Sequence, residues 1–316
     1  VLKENNRQTT LRVAGGWVRD KLMGLESDDI DIALDDMYGE ELAEMIRHKI
    51  FEQEMAAGNP DAKKASKGYG VIKSNSEKSK HLETAVIKVF GEFIDLVNLR
   101  SEEYGEDSRV PIIKIGTPEQ DALRRDLTIN SMFFNINTGL IEDLTGNGVS
   151  DLTHGIARTP LEPLKTFVDD PLRVLRAIRF AQRFGFKITD EIMQAALNPK
   201  VKDAFAHKIT FERIQKEMDK IFSDREAHKS MQQIFLFGIA QLCIKPPSDC
   251  NELSDPETIE TKMLPLSVFI CNILGILFST LKQNNNSLIG INFPDDLKNL
   301  QMSCFYTGLL LPFKDF

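Results

Sequence analysis

The sequence predicts an α+β protein whose first part is a mixed sheet with flanking helices and whose second part is all-α. Two patterns support this prediction. From residue 11 to about residue 152, short runs rich in β-branched residues alternate with helical stretches. From about residue 164 onward, apolar residues recur at helical spacing, as at Leu172, Leu175 and Ile178. Because 316 residues are too many for one small core, we expect several modules.

The charge of the chain is unevenly distributed. The net charge of -8, taken alone, is evidence against a nucleic-acid partner. Residues 160–216, however, carry 11 lysines and arginines against 7 acidic residues, whereas residues 1–60 carry 7 against 13. RNA responds to the local field, because screening limits charge interactions to about 8 to 10 Å near physiological salt. The acidic total therefore does not exclude RNA binding along a basic segment.

The cysteines and one apolar segment bear on metal and membrane binding. Residues 263–281 are free of charge over 19 residues, the minimum for a membrane span, but an internal proline and asparagine favour a buried helix. We therefore expect an intracellular protein without a membrane partner, in the cytoplasm or, in a eukaryote, also in the nucleus or mitochondrion. No CxxC pair occurs, so we expect buried thiols rather than zinc ligands. The cysteines are Cys243, Cys250, Cys271 and Cys304.

The first predicted strand, residues 11–14, is followed by a Gly-Gly turn and a helix. Gly15 and Gly16 allow the backbone to approach a bulky anion, and the N–H groups at the start of the next helix favour negative charge. Arg19 can pair with phosphate oxygens. The turn therefore predicts a triphosphate-binding loop, with a simple connection between strand and helix as the alternative.

Two aspartates alternate with isoleucines in the next predicted strand. Residues i and i+2 of a strand project to the same face, so Asp29 and Asp31 lie side by side while Ile30 and Ile32 enter the core. Adjacent carboxylates are costly to ionise together unless a cation lies between them. Their hard oxygen ligands favour Mg²⁺ held jointly with substrate phosphates. Solvated charges on an exposed strand are the alternative.

A third carboxylate lies within a predicted core strand, residues 91–100. A charge at Asp95 needs a partner there, and a two-metal site shared with Asp29 and Asp31 would supply one. Such a site stabilises both the attacking and the leaving oxygens of a phosphoryl displacement. We therefore expect Asp29, Asp31 and Asp95 to be catalytic, with two Mg²⁺ ions in the active complex. Whether Asp95 binds metal or accepts a proton stays open.

Six motifs, in order along the chain, resemble those of the class II CCA-adding enzymes, which are tRNA nucleotidyltransferases of the DNA polymerase β superfamily. They are GGWVRD from Gly15, DIDIA from Asp29, DALRRDLTINSMFFN from Asp121, EDLTGNGVSDL from Glu142, DDPLRVLRAIRFAQRFGF from Asp169 and FERIQKEMDKI from Phe211. The residues of two motifs are more similar to those of fungal and plant members of this family than to those of bacterial members. The resemblance implies a nucleotidyltransferase head over residues 1–152, a base-recognising neck over residues 153–230, and a tRNA-binding body over residues 231–316 that is short for a full tail.

The resemblance also implies roles for individual side chains. Arg124 and Arg125, at the start of a predicted β-rich run, would contact the sugar and phosphates of the nucleotide, and Asp126 would order them. Asp170 and Arg173 would imitate a template base. Glu212, Arg213 and Glu217 resemble the motif that braces the base-reading helix, and the other supporting residues are Asp20, Asn130, Arg176 and Arg179.

The chemistry of the bases agrees with the pair assigned to base selection. Cytosine and adenine both present an amino donor beside an unprotonated ring nitrogen, so a carboxylate can accept from the amine while a guanidinium donates to the ring. Uracil and guanine invert this pattern, which would leave buried groups unpaired. The alternative for Asp170 is structural, because Asp170 followed by Pro171 is also a typical helix start.

The activity that the resemblance implies is addition of C, C and A to the 3′ end of tRNA. CTP and ATP would be the substrates, no nucleic-acid template would be used, and pyrophosphate would be released. Two alternatives stay open at this point. One is a relative that adds only CC, only A or poly(A), and the other is a catalytically silent RNA-binding protein of the same fold. The oligomeric state is not predicted.

Overall fold

The structure is a computed structural model, described over residues 1–61, 69–72, 84–89, 91–103, 112–224 and 226–244 and at residues 270, 271, 273, 274 and 304. The chain divides into two compact units. The first comprises residues 1–154 and 158–161, and the second comprises residues 155–157 and 162–316. The predicted α+β class is confirmed. A further division of the second unit into neck and body stays a prediction.

A mixed sheet forms the centre of the first unit. Its strands are β1 (Leu11–Ala14), β2 (Ile30–Leu34), β3 (Tyr69–Ile72), β4 (Thr84–Val89), β5 (Glu92–Asn98), β8 (Phe133–Asn135) and β9 (Leu140–Glu142). Their order across the sheet is β3-β4-β5-β2-β1-β8-β9. Within this sheet β2 and β5 run parallel, and the other neighbours run antiparallel. A separate two-stranded sheet pairs β6 (Arg100–Glu103) with β7 (Ile112–Ile115).

Four helices and two 3-10 turns connect and cover these strands in the described part of the first unit. They are α1 (Gly16–Leu22), α2 (Gly39–Ala56), α3 (Pro118–Leu123) and α4 (Gly148–His154), with 3-10 turns at Lys3–Asn5 and Thr128–Asn130. A capping box starts α3, since Thr117 Oγ1 accepts from the Gln120 N–H and Gln120 Oε1 accepts from the Thr117 N–H. Residue 124 directly follows the end of α3, so the expectation that it begins a β-rich run was wrong. The segment after residue 124 instead contains a buried 3-10 turn before β8 begins.

The two faces of the sheet pack against different layers. On one face Leu34, Ala85, Ile87 and Leu96 form a core with Leu42 and Ala43 of α2. On the other face Ala14, Ala33, Leu99, Ala122 and Phe133 form a second cluster, against which Val97 packs. Because alternate residues share a face, Asp31 lies on the side of Ala33, and Asp95 on the side of Val97. Both aspartates therefore project away from α2.

Helices make up nearly all of the described part of the second unit. They are α5 (Pro163–Asp169), α6 (Leu172–Phe184), α7 (Asp190–Leu197), α8 (Pro199–Lys208), α9 (Phe211–Phe222), α10 (Ala227–Leu236) and α11 (Ala240–Cys243). The predicted apolar stripe of α6 is confirmed, since Val174, Leu175, Ile178 and Ala181 are fully buried. The all-α expectation missed one short parallel pair, β10 (Ile156–Ala157) with β11 (Lys187–Ile188).

The described cysteines are free thiols. Cys243 and Cys271 are buried, and burial raises the pKa of both, that of Cys271 to about 12. Cys250 and most of the apolar segment 263–281 lie outside the described residues. In the part of the chain that is described, no helix has the length and apolar character needed to cross a membrane.

Candidate active site

The turn after β1 brings the backbone close to an arginine. Gly15 has a φ of +70°, a conformation that other residues rarely adopt, and its N–H donates to the carbonyl of Met132 at 2.9 Å. A Cβ at this position would lie 2.5 Å from Nη1 of Arg125. Gly16 then begins α1. The positive φ at position 15 favours glycine, and a Cβ there would also displace the guanidinium of Arg125.

The side chain of Arg19 points into the protein. Its Nε donates to Oδ1 of Asp20 at 2.8 Å, and its Nη1 donates to Oδ1 of Asn130. Asn130 in turn donates to Oδ1 of Asp126 at 3.0 Å. With 4% of its surface exposed, Arg19 joins α1 to the 3-10 turn that holds Asn130. This chain of bonds fixes the shape of the glycine turn, and a direct phosphate contact by Arg19 stays a prediction.

The predicted catalytic aspartates lie at the centre of the sheet. Asp31 of β2 is the register neighbour of Asp95 of β5, in strands that are about 4.8 Å apart. Both side chains are half-buried. Asp29 is exposed and lies one residue before β2, so the strand begins later than the sequence predicted. The structure thus places Asp95 opposite Asp31 on the neighbouring strand, while the charge of Asp29 acts on Asp31 more strongly than that of Asp95.

The electrostatics of this pair favour a bound cation. Burial and the nearby charge of Asp29 raise the pKa of Asp31, and Asp95 adds to this effect, while Arg125 and Arg100 oppose it. Carboxylate oxygens are the ligands that hard divalent cations take, so the donor set fits such an ion. Within the described ranges, however, no three His, Cys, Asp or Glu side chains converge closely enough to hold a metal as they stand.

Asp121 of α3 holds the two arginines assigned to the nucleotide. Its Oδ1 accepts from Nη2 of Arg124 at 2.6 Å, and its Oδ2 accepts from Nη2 of Arg125 at 2.8 Å. Asp121 is 2% exposed, and although burial acts to raise its pKa, the two guanidinium groups lower it to about 2. Arg124 also donates to Oε1 of Glu102 at 2.9 Å.

Sequence reasoning missed Asp121 and Glu102. It assigned the ordering of the arginines to Asp126, which accepts from the N–H of Leu127 and from Asn130. One signal was available, because Asp121 precedes Arg124 by three residues and Arg125 by four, a spacing that brings side chains together on a helix.

In the second unit, Asp170 lies at the start of α6. Its Oδ1 accepts from the Leu172 N–H at 3.3 Å, and its Oδ2 accepts from Nη2 of Arg213 at 3.2 Å. Asp170 thus contacts the start of the helix as expected, but Pro171 occupies the N-cap position, so Asp170 lies one residue before the N-cap. Arg173 and Arg176 lie half-buried on the first two turns of α6.

The residues predicted to brace α6 behave differently from one another. Arg179 of α6 is 7% exposed, and its Nε donates to Oε1 of Glu217 on α9 at 2.5 Å. Arg213 of α9 contacts Asp170, so two α9 residues brace the start and middle of α6. Glu212 does not, because its carboxylate is exposed and pairs with Lys216.

The fold is that of a class of nucleotidyltransferases, as comparison with known proteins shows. Residues 11–158 match the family model of the poly(A) polymerase head domain. The mitochondrial CCA tRNA nucleotidyltransferase of Saccharomyces cerevisiae is 50% identical over 214 residues, 67% of this chain and 38% of the relative. The tRNA nucleotidyltransferase cca2 of Schizosaccharomyces pombe is 40% identical over 250 residues, 79% of this chain and 51% of the relative.

The chain belongs to the family of CCA tRNA nucleotidyltransferases with this head domain. A solved structure of a CCA-adding enzyme in an apo form has the same fold, with a TM-score of 0.63 at 22% identity over 98% of this chain and 77% of that one. Nucleotidyltransferases of this family generally use divalent metal ions. The chain spans about half or less of the length of the curated relatives that it matches.

Proposed function

We propose that the protein adds C, C and A to the 3′ end of tRNA from CTP and ATP, without a nucleic-acid template, and releases pyrophosphate. The observation that supports this most strongly is the register pairing of Asp31 with Asp95 beside two arginines held by Asp121. The relatives named as CCA tRNA nucleotidyltransferases supply the substrate class. The name of the S. cerevisiae relative favours the mitochondrion as one compartment for this enzyme.

The chain's own residues would divide the reaction among them. Asp31 and Asp95, joined by Asp29, would hold two Mg²⁺ ions. When bound, these ions favour deprotonation of the attacking 3′-hydroxyl and neutralise charge on the phosphates. Arg124 and Arg125, which Asp121 holds in place, would bind the nucleotide's phosphates and sugar. Since the hydroxyl attacks the α-phosphate directly, no covalent enzyme intermediate is needed.

Base selection would fall to Asp170 and Arg173. The contact from Arg213 leaves Asp170 a carboxylate with further lone pairs, which can accept from the amino group of cytosine or adenine. Arg173, one helical turn further on, would donate to the ring nitrogen. Uracil and guanine would place an acceptor against the carboxylate and a donor against the guanidinium. The resulting unpaired groups would reject them.

A transfer assay with labelled nucleotides tests this function. A tRNA that lacks CCA is incubated with CTP alone, ATP alone, and both. We expect two residues from CTP alone and a third only when ATP is added. Long tracts from ATP alone would identify a poly(A) polymerase, and a single A on a tRNA that already ends in CC, without C addition, would identify an A-adding enzyme. If neither nucleotide is transferred, the remaining alternative is a protein that binds RNA without catalysis.

A further inference from the structure

Arg100 stands beside the aspartate pair but has no role in the function described above. It begins β6, and its backbone N–H donates to Oδ1 of Asp121 at 3.2 Å. A Cβ on Gly116 would lie 2.6 Å from the Arg100 carbonyl carbon, so the two backbones are in close contact. The carboxylate that holds Arg124 and Arg125 therefore also fixes the position of Arg100.

The carboxylates around Arg100 are already used by other arginines. Asp121 forms ion pairs with Arg124 and Arg125, and Glu102 forms one with Arg124. The guanidinium of Arg100 makes no hydrogen bond or ion pair with any residue in the described part of the chain. Asp121 and Glu102 therefore pair with Arg124 and Arg125 rather than with Arg100, and the carboxyl group on which the charge of Arg100 acts is the half-buried Asp31.

In the free protein, burial disfavours the charged form of Arg100. Burial lowers the pKa of the Arg100 guanidinium, and the charge of Arg124 lowers it further, while Glu102 and Asp121 act in the opposite direction with less effect. The charge of Arg100 also acts on Asp31, where it opposes part of the rise in pKa that burial and Asp29 cause. An anion bound between Arg100 and the other arginines would remove the penalty.

We propose that Arg100 binds a phosphate group of the substrate, beside Asp31 and together with Arg124 and Arg125. A planar guanidinium can make two parallel hydrogen bonds to a phosphate, and phosphate is the anion that the proposed substrates carry.

The proposal rests on the proposed function, because the nucleotide or the tRNA must supply the phosphate. The triphosphate of CTP and the backbone of the tRNA 3′ end offer the same chemical group. Measuring each substrate separately distinguishes the two sources.

The experiment compares Arg100→Gln with wild type, Arg100→Lys and the control Arg47→Gln. Arg47 is also an arginine of this unit, but it lies on α2, on the opposite side of the sheet, and pairs with Glu44. Thermal unfolding is measured without ligand, and binding of CTP and of cytidine is measured by calorimetry. Steady-state transfer then gives KM for CTP and KM for tRNA. Cytidine lacks phosphates and reports any indirect damage to the base site.

Arg100→Gln should unfold at the wild-type temperature or above it, because it removes a desolvated charge that makes no ion pair in the described part of the chain. It should also weaken CTP binding or raise KM for tRNA by about tenfold to a hundredfold, the effect of losing a charged hydrogen bond. Arg100→Lys should recover part of this loss, and cytidine binding and Arg47→Gln should be unaffected. A higher Kd for CTP assigns the phosphate to the nucleotide, and a higher KM for tRNA assigns it to the RNA.

Two results would overturn the proposal. One is that the dissociation constant for CTP and KM for tRNA both stay within twofold of wild type. The other is that Arg100→Gln unfolds at a clearly lower temperature without ligand, which would assign Arg100 to the fold. If the wild-type protein transfers no nucleotide, the proposed function fails, but calorimetry with CTP still tests Arg100.

Discussion

The substitution Asp121→Asn removes the carboxylate that organises the arginines of the candidate site. The amide that replaces it would keep one carbonyl acceptor for two guanidinium groups, and their charges would lose their compensation. Each ion pair at this position is short, 2.6 Å to Arg124 and 2.8 Å to Arg125. We therefore expect the first unit to lose stability and the arginines to lose their fixed position.

The pKa of Asp121 gives the size of the effect. Its fall from 3.8 to about 2 corresponds to about 2 to 3 kcal/mol of stabilisation, since one pKa unit is about 1.4 kcal/mol. Breaking a buried ion pair by removing one partner can cost about 3 to 5 kcal/mol. Because asparagine keeps some hydrogen bonding, we expect a loss of about 2 to 4 kcal/mol in the free energy of unfolding.

The assay is urea denaturation followed by tryptophan fluorescence. Trp17 is the chain's single tryptophan, and it lies on α1 with its ring centroid 6.4 Å from that of Phe134, so it reports on the first unit. The folded-state pKa of Asp121 lies below its ordinary value. Its contribution is therefore fully present above about pH 4 and is lost as the pH falls towards about 2.

The difference between wild type and Asp121→Asn should consequently shrink from pH 5 to pH 2. A loss below about 0.5 kcal/mol at neutral pH would refute this reasoning, since that is the scatter of ordinary surface substitutions. A difference that does not change with pH would show that the charge of Asp121 is not the cause.

Three further predictions concern other parts of the molecule. Gly15→Ala should lower stability and CTP affinity, since a Cβ would lie 2.5 Å from an arginine nitrogen. The control Gly24→Ala has the same φ of +70° but open space around it, so it should cost only about 1 kcal/mol in urea titrations. Glu217→Gln should cost about 3 kcal/mol by circular dichroism in urea, while Glu212→Gln leaves stability unchanged; equal effects would contradict the bracing role. Asp170→Ala should lower the preference for CTP over UTP at least tenfold in transfer assays, whereas a purely structural cap would lose about 1 kcal/mol with selectivity intact.

Local patterns were enough to predict the elements that carry the main candidate residues. Period-2 alternation placed Asp31 on a strand, and helical periodicity gave the buried stripe of α6 that includes Leu175 and Ile178. The Gly-Gly turn was recognisable from the sequence because glycine is the residue that most readily adopts a positive φ, as Gly15 does. These features depend on neighbours in sequence, which is why a single sequence reveals them.

The arginine cluster could not be predicted in the same way. Asp121 on a six-residue helix has the pattern of a solvated charge, and its burial results from packing that the local sequence does not show. Arg100 comes next to it through the pairing of β6 with β7, two segments separated in sequence. The run from residue 124 was predicted as β-rich, whereas it contains a buried 3-10 turn before β8 begins.

The most direct test of the central claim is the sequence of the 3′ ends that the protein produces. A tRNA without CCA is incubated with CTP, ATP and Mg²⁺, and the products are sequenced for wild type and for Asp31→Asn, whose folding is checked by the fluorescence of Trp17. Wild type should yield ends that terminate in CCA, and Asp31→Asn should be slower by at least about a hundredfold, because it removes a carboxylate from the metal-binding pair. Unchanged addition by Asp31→Asn, or wild-type ends without CCA, would contradict the assignment.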